Sequence, residues 1–260
     1  MKLRSIIFGS AVAVAATASA LTTTNTFARL PVTANYASTI IALPFSGCGM
    51  AEGSIYVTNL VMTTNLEKGD TLLYKDGSSW KAWEIDASGK WVGVTTSTAG
   101  GVSVTPPASE VALACGTACW LNRQTPSNTF YLYGQVNAAK TPVTVAAGTG
   151  TKPTYTIVGC PYEAGDFNVK GITGAEGDTV VLMSNAEGNK AGRVEYTYTN
   201  TAWRVYKETT PASGSSPFAP GYTPAVSDWV EVSASEATVP AGCGFMYGRK
   251  KNETLTINWN

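Results

Sequence analysis

Three tryptophans, Trp80, Trp83 and Trp91, fall within twelve residues of one another, and Tyr74 stands just ahead of them. Aromatic faces stack on the C–H faces of sugar rings or pack against a partner protein, so this cluster is the feature of the chain best suited to binding. Trp80 and Trp83 are three apart and point to opposite faces of one straight strand. Trp83 and Trp91 share a face only if the turn at 86–89 preserves parity. At least one of the three is therefore expected at the surface. Trp80, Trp83, Trp91 and Tyr74 are the candidate ligand-binding residues, each weighed against core packing, the commoner fate of a tryptophan.

Paired acids offer another route to chemistry. Glycoside hydrolysis uses two carboxyls about 5–10 Å apart. Glu84 and Asp86 share one strand face by period two, and Glu163 and Asp166 flank a glycine turn. The chain has 18 acids, so chance pairs of this kind are expected and solvated surface acids are the better reading. There is no histidine, which removes Ser-His-Asp and Cys-His catalysis, His-ligated zinc, copper and haem, and His-based pH switching. Nucleophile-elbow, P-loop and dinucleotide glycine patterns are absent as well. No catalytic residue, metal or cofactor is assigned. With 18 basic and 18 acidic residues, no net charge draws in nucleic acid.

Two Gly-Asp steps, Gly69-Asp70 and Gly177-Asp178, each precede an apolar run. Glycine permits positive φ and aspartate bonds its own backbone in turns, so both read as strand-entry turns. Arg123 and Arg249 follow apolar or aromatic residues. A guanidinium lying over an aromatic ring or bonding a loop carboxylate is favoured there over an anion clamp.

The elements that carry these residues read as strands. Thr, Val, Tyr and Trp alternate in short runs such as Tyr196-Thr197-Tyr198-Thr199, and Gly, Asn, Asp and Pro punctuate them. Asp76-Gly77 and Ser88-Gly89 suggest hairpins. No 3.6-residue apolar period persists for three turns. Residues 1–20 read as a secretory signal. Lys2 and Arg4 precede a 13-residue apolar run at 6–18 that is too short to span a membrane, and Ala18-Ser19-Ala20 fits a cleavage site. Export permits disulfides among Cys48, Cys115, Cys119, Cys160 and Cys243, but an odd count leaves one over and the spacing does not choose the pairs. If the stretch between Cys115 and Cys119 is extended, the two lie about 13 Å apart, beyond bridging, unless Gly116 turns the chain.

The chain also repeats itself. Glu67-Lys68-Gly69-Asp70-Thr71-Leu72-Leu73 returns as Ala175-Glu176-Gly177-Asp178-Thr179-Val180-Val181, and Ala108-Ser109-Glu110 returns as Ala234-Ser235-Glu236. The run from Gly116 to Arg123 aligns with that from Gly242 to Arg249, and Ile41-Ala42-Leu43-Pro44-Phe45 aligns with Ile157-Val158-Gly159-Cys160-Pro161-Tyr162. The expected fold is all-β, with two similar β-sandwich-like or barrel-like units in tandem. The expected divisions are a mobile N-terminal segment at 21–29, a first unit at 30–140, a linker at 141–152 and a second unit at 153–260. At these landmarks the chain resembles a group of exported bacterial proteins built from paired β-units, which share the Gly-Asp step and a Gly-x-x-aromatic-x-x-Arg-like ending. That group has no established activity, so the resemblance brings no catalytic residues.

These readings converge on a non-enzymatic exported protein of the cell surface, secreted matrix or periplasm. Its role would be structural or adhesive, with glycan or a surface protein as partner, or with self-association through an open strand edge. A secreted hydrolase using two carboxylates is the alternative. No membrane-spanning helix is expected after the signal.

Overall fold

A computed structural model describes residues 27–33, 38–46, 54–59, 66–76, 79–98, 101–125, 129–136, 142–160, 167–182, 194–213 and 223–259. The fold is all-β, with short 3-10 turns at Val57–Asn59 and Val169–Gly171 among the described residues. No helix among the described residues is long and apolar enough to cross a membrane.

The first half opens with β1 (Phe27–Thr33), which pairs with β11 (Thr129–Val136), and β11 pairs in turn with β3 (Phe45–Ser46). A second small pair joins β4 (Ser54–Tyr56) to β9 (Ala112–Ala114). The main sheet has six antiparallel strands. They are β2 (Ser38–Ala42), β10 (Ala118–Asn122), β5 (Thr71–Asp76), β6 (Ser79–Ile85), β7 (Trp91–Thr98) and β8 (Gly101–Val104), in that spatial order. In the second half β12 (Val143–Val145) pairs with β21 (Leu255–Ile257), and β14 (Phe167–Asn168) pairs with β19 (Thr238–Val239). Its six-stranded sheet runs β13 (Thr154–Gly159), β20 (Gly244–Arg249), β15 (Thr179–Leu182), β16 (Val194–Thr199), β17 (Ala202–Thr210) and β18 (Val226–Glu231).

The two large sheets have the same strand order and the same register at the shared landmarks. Leu121 lies between Thr39 and Leu72, and Tyr247 lies between Thr156 and Val180. Trp83 opposite Leu72 corresponds to Tyr196 opposite Val180, and Trp91 opposite Ile85 corresponds to Trp203 opposite Tyr198. The second half is longer in two places. Its β15–β16 connection runs from Leu182 to Val194, whereas β5 and β6 close with Asp76 opposite Ser79. Its β17–β18 connection is longer too, and an isolated bridge between Ser213 and Thr223 extends that hairpin.

Each half has its own core, in which the inner face of the large sheet meets the small pairs. Leu30, Val32, Phe130 and Leu132 pack with Leu72, Trp83, Ile85 and Leu121 in the first, and Val145, Val169, Val239 and Ile257 pack with Val180, Tyr196, Phe245 and Tyr247 in the second. Two expected boundaries shift. The 141–152 stretch contains β12, not a plain linker, because Val143 and Val145 alternate and Val145 is fully buried against the second core. Likewise Phe27, Ala28 and Arg29 of the 21–29 segment belong to β1.

The halves meet along the edges β2 and β13. The Ala42 amide donates to the Gly242 carbonyl at 2.9 Å, and Ile41 forms an isolated antiparallel bridge with Cys243. The approach is reciprocal, since Gly159 at the end of β13 lies against the Gly116 and Thr117 carbonyls so closely that a Cβ would sit 2.7 Å from each oxygen. Gly242, at φ +75°, seats between Leu30 and Val32, where a Cβ would again come within 2.7 Å of either side chain. Ala42, from the first half, belongs to the second core, and Ala241 packs on the first.

Candidate functional site

The two Gly-Asp steps and the two arginines form a pair of buried clasps. Gly69 takes φ +91° and Gly177 takes φ +80°, which turns the chain into β5 and β15. Asp70 is fully buried. Its carboxylate accepts from the Glu67 amide at 3.0 Å and the Gln124 amide at 2.7 Å, and Arg123 Nε lies 3.4 Å away. The Arg123 guanidinium also lies over the Phe130 ring at 5.8 Å. Asp178, equally buried, accepts from the Ala175 and Lys250 amides, each at 2.9 Å, and from Arg249 Nη1. It takes one more bond, at 2.8 Å, from the Tyr247 hydroxyl. Burial pushes the Asp178 carboxyl up, but the two amides, the tyrosine and the arginine together hold it below its ordinary value. Burial and the adjoining carboxylate drive Tyr247 the other way, well above the usual tyrosine range. All four residues are tied to one another or to loop backbone behind the strands, so their chemistry is structural.

The tryptophan cluster divides by parity. β6 is straight, so Trp83 faces the core and Trp80 the opposite side. Trp83 is fully buried and its Nε1 donates to the Pro106 carbonyl at 2.9 Å. Trp91, opposite Ile85, keeps the same parity and lies buried in the same core. Tyr74 packs half-buried against that core, and burial, then the Asp76 charge, raises its phenol. A binding platform over this cluster is therefore corrected. Trp83 and Trp91 have no face open to a ligand, whereas Trp80, on the outer side of the sheet, is half-buried, as is Tyr74.

The exposed aromatic pair lies in the second half. Tyr206 on β17 stands directly opposite Trp229 on β18, with ring centroids 5.5 Å apart and planes at 57°. Tyr206 is 60% exposed and Trp229 43%. Alternation places both on the face opposite Trp203, which is core. Here β17 and β18 leave the core as a ribbon. Past Val205 every residue of β17 is exposed, as is β18 apart from Val230. Arg204 Nη1 lies 3.4 Å from the Trp229 carbonyl, and Lys170 pairs with Glu231 at 3.0 Å. The sequence signal was present but faint. The core-facing positions after Val205 are Lys207 and Thr209, so the strand there no longer faces a core and an aromatic on its other side is not needed for packing.

The acid pairs resolve differently. Asp86 caps the β6–β7 turn, accepting from the Lys90 and Ser88 amides and the Ser88 hydroxyl, and these bonds lower its carboxyl. Glu163 and Asp166 lie outside the described residues. Among the described residues no cluster of three metal-ligating side chains forms. A hollow under Leu43, Phe45, Ile55 and Leu132 holds about 10 Å³ and is lined by apolar residues and Tyr133, with no acid. Gly116, at φ +83°, does turn the chain between Cys115 and Cys119, but no disulfide forms among the described residues. Cys115 Sγ instead donates to the Phe45 carbonyl at 2.9 Å, and Cys119 is sealed in the core, where burial pushes its thiol up to about 12.

Compared with protein-family models, with curated proteins and with solved structures, the chain has no match to any of them.

Proposed function

We propose that this is an exported, non-enzymatic β-protein with a structural or adhesive role at the cell surface or in secreted matrix, making contact with glycan or a surface protein through outward-facing aromatics. The observation that carries this reading is the Tyr206–Trp229 pair on the exposed β17–β18 ribbon. A buried aromatic serves packing; two that face each other across a solvent-exposed ribbon serve contact. The absence of histidine and the use of Asp86 as a turn cap also favour binding over catalysis. The test is retention of the full chain on a glycan array, scored together with released sugar. Retention without release is expected. Replacing Trp229 with Ala should weaken it about tenfold, since a lost stacking contact costs on the order of 1–3 kcal/mol, while the thermal melt stays in place. Sugar release would favour the hydrolase, and unchanged retention by Trp229→Ala would discard the ribbon as the contact.

A further inference from the structure

Two cysteines distant in sequence are joined by a backbone hydrogen bond at the junction of the halves. Gly159 of β13 lies opposite Gly244 of β20, and the next residue outward on each side is Cys160 and Cys243. The Cys160 amide donates to the Cys243 carbonyl at 3.3 Å, which carries the ladder one step past the glycines. At the same place in the first half the Leu43 amide donates to the Thr117 carbonyl at 3.0 Å. Leucine and threonine at that step show that the frame needs no sulfur there. Residues directly opposite in an antiparallel pair have Cα atoms about 5.5 Å apart and side chains on one face. A disulfide spans Cα separations of about 4.4–6.8 Å. Cys160 lies in the second core, and Cys243 packs against both cores.

We infer that Cys160 and Cys243 are an oxidisable pair, forming an intrachain disulfide that staples β13 to β20 when the chain meets a low-molecular-weight or protein disulfide outside the cytoplasm. Cys243, the less buried of the two, loses its proton and attacks one sulfur of the oxidant, whose S–S bond breaks and releases a thiolate. The Cys160 thiolate then attacks Cys243 sulfur in the mixed disulfide and releases the second thiolate. The two protons lost by the cysteines go to the two departing sulfurs, and the oxidant is reduced by two electrons to thiols. Cys119 takes no part, because it is paired with Ile41 of β2, which lies between it and Cys243.

The experiment treats the purified full chain with oxidised glutathione, alkylates it in denaturant without reductant, and maps the peptides by mass. A Cys160–Cys243 linked peptide is expected, together with a melt that falls by roughly 5–10 °C on reduction, since the bridge closes a long loop. Cys243→Ser should abolish both the linked peptide and the response of the melt to reductant. Full alkylation of Cys160 and Cys243 after oxidation, or linkage of Cys160 to any other cysteine, would overturn the inference. Should the variant not fold, the peptide map of the unaltered chain decides alone.

Discussion

Under the entry to β5, Asp70 meets Arg123 and two loop amides; under the entry to β15, Asp178 meets Arg249, two loop amides and the Tyr247 hydroxyl, where the first half has Leu121. The frame is the same and the second clasp has one more bond. At the other end of the sheets the divergence is larger. The second half lengthens β17 and β18 into a ribbon that exposes Tyr206 and Trp229, and it exchanges Trp83 for Tyr196 in the core. Buried polar groups at a strand entry tolerate little change, because each lost partner leaves a charge or an amide unmet. A ribbon beyond the core is free of that constraint. The comparison thus separates what holds the chain together from what is available for contact.

The largest effect should fall on the clasps. Replacing Asp178 with Ala strands a buried guanidinium and two amides, and should cost about 3–5 kcal/mol in chemical denaturation. Asp70→Ala should cost less, because no tyrosine hydroxyl is lost with it; an equal or larger cost would break the comparison. The sign with pH follows from the lowered Asp178 carboxyl. Its contribution is fully present above the ordinary value of 3.8 and is lost as pH falls through the lower folded value. Asp178→Asn should therefore flatten part of the acid limb of a stability–pH profile. An intermediate effect is expected from Trp83→Tyr, which imports the second half's residue into the first. It loses the bond to the Pro106 carbonyl and leaves a small void, for about 2 kcal/mol on thermal melting. A cost near zero would mean that the two cores are interchangeable at this site. The smallest effects lie in the matching hairpins. Asn200 and Thr201 turn the second with φ 49° and 64°, whereas Gly89 serves the first at φ 75°. Thr201→Gly should stabilise by about 1 kcal/mol and Gly89→Ala should destabilise by a similar amount, read from the shift in denaturation midpoint.

The all-β character was legible because alternation and turn residues are local signals, and the runs at Tyr196 and Thr129 lie in strands. The Gly-Asp turns were legible for the same reason. That each aspartate clasps its own arginine was not, since Asp70 and Arg123 stand 53 positions apart and their meeting depends on β10 lying beside β5. Parity placed Trp80 and Trp83 on opposite faces but could not say which face was core. The Tyr206–Trp229 pair was missed because the two stand far apart in the sequence and only the register of β17 with β18 joins them. β12 escaped notice because three alternating residues in a Thr, Ala and Gly stretch are too few to mark a strand without β21 beside them.

The reciprocal seating of Gly242 and Gly159 has a consequence for how the molecule comes apart. Ala42 is a member of the second core, and the turn before β20 rests on Leu30, Val32 and Leu132 of the first. Opening either half therefore strips packing from the other. The two halves should not melt as independent beads on a string but as one cooperative body, with a single calorimetric peak whose measured and van't Hoff enthalpies agree. That coupling suppresses the half-open states at which a protease first cuts a chain.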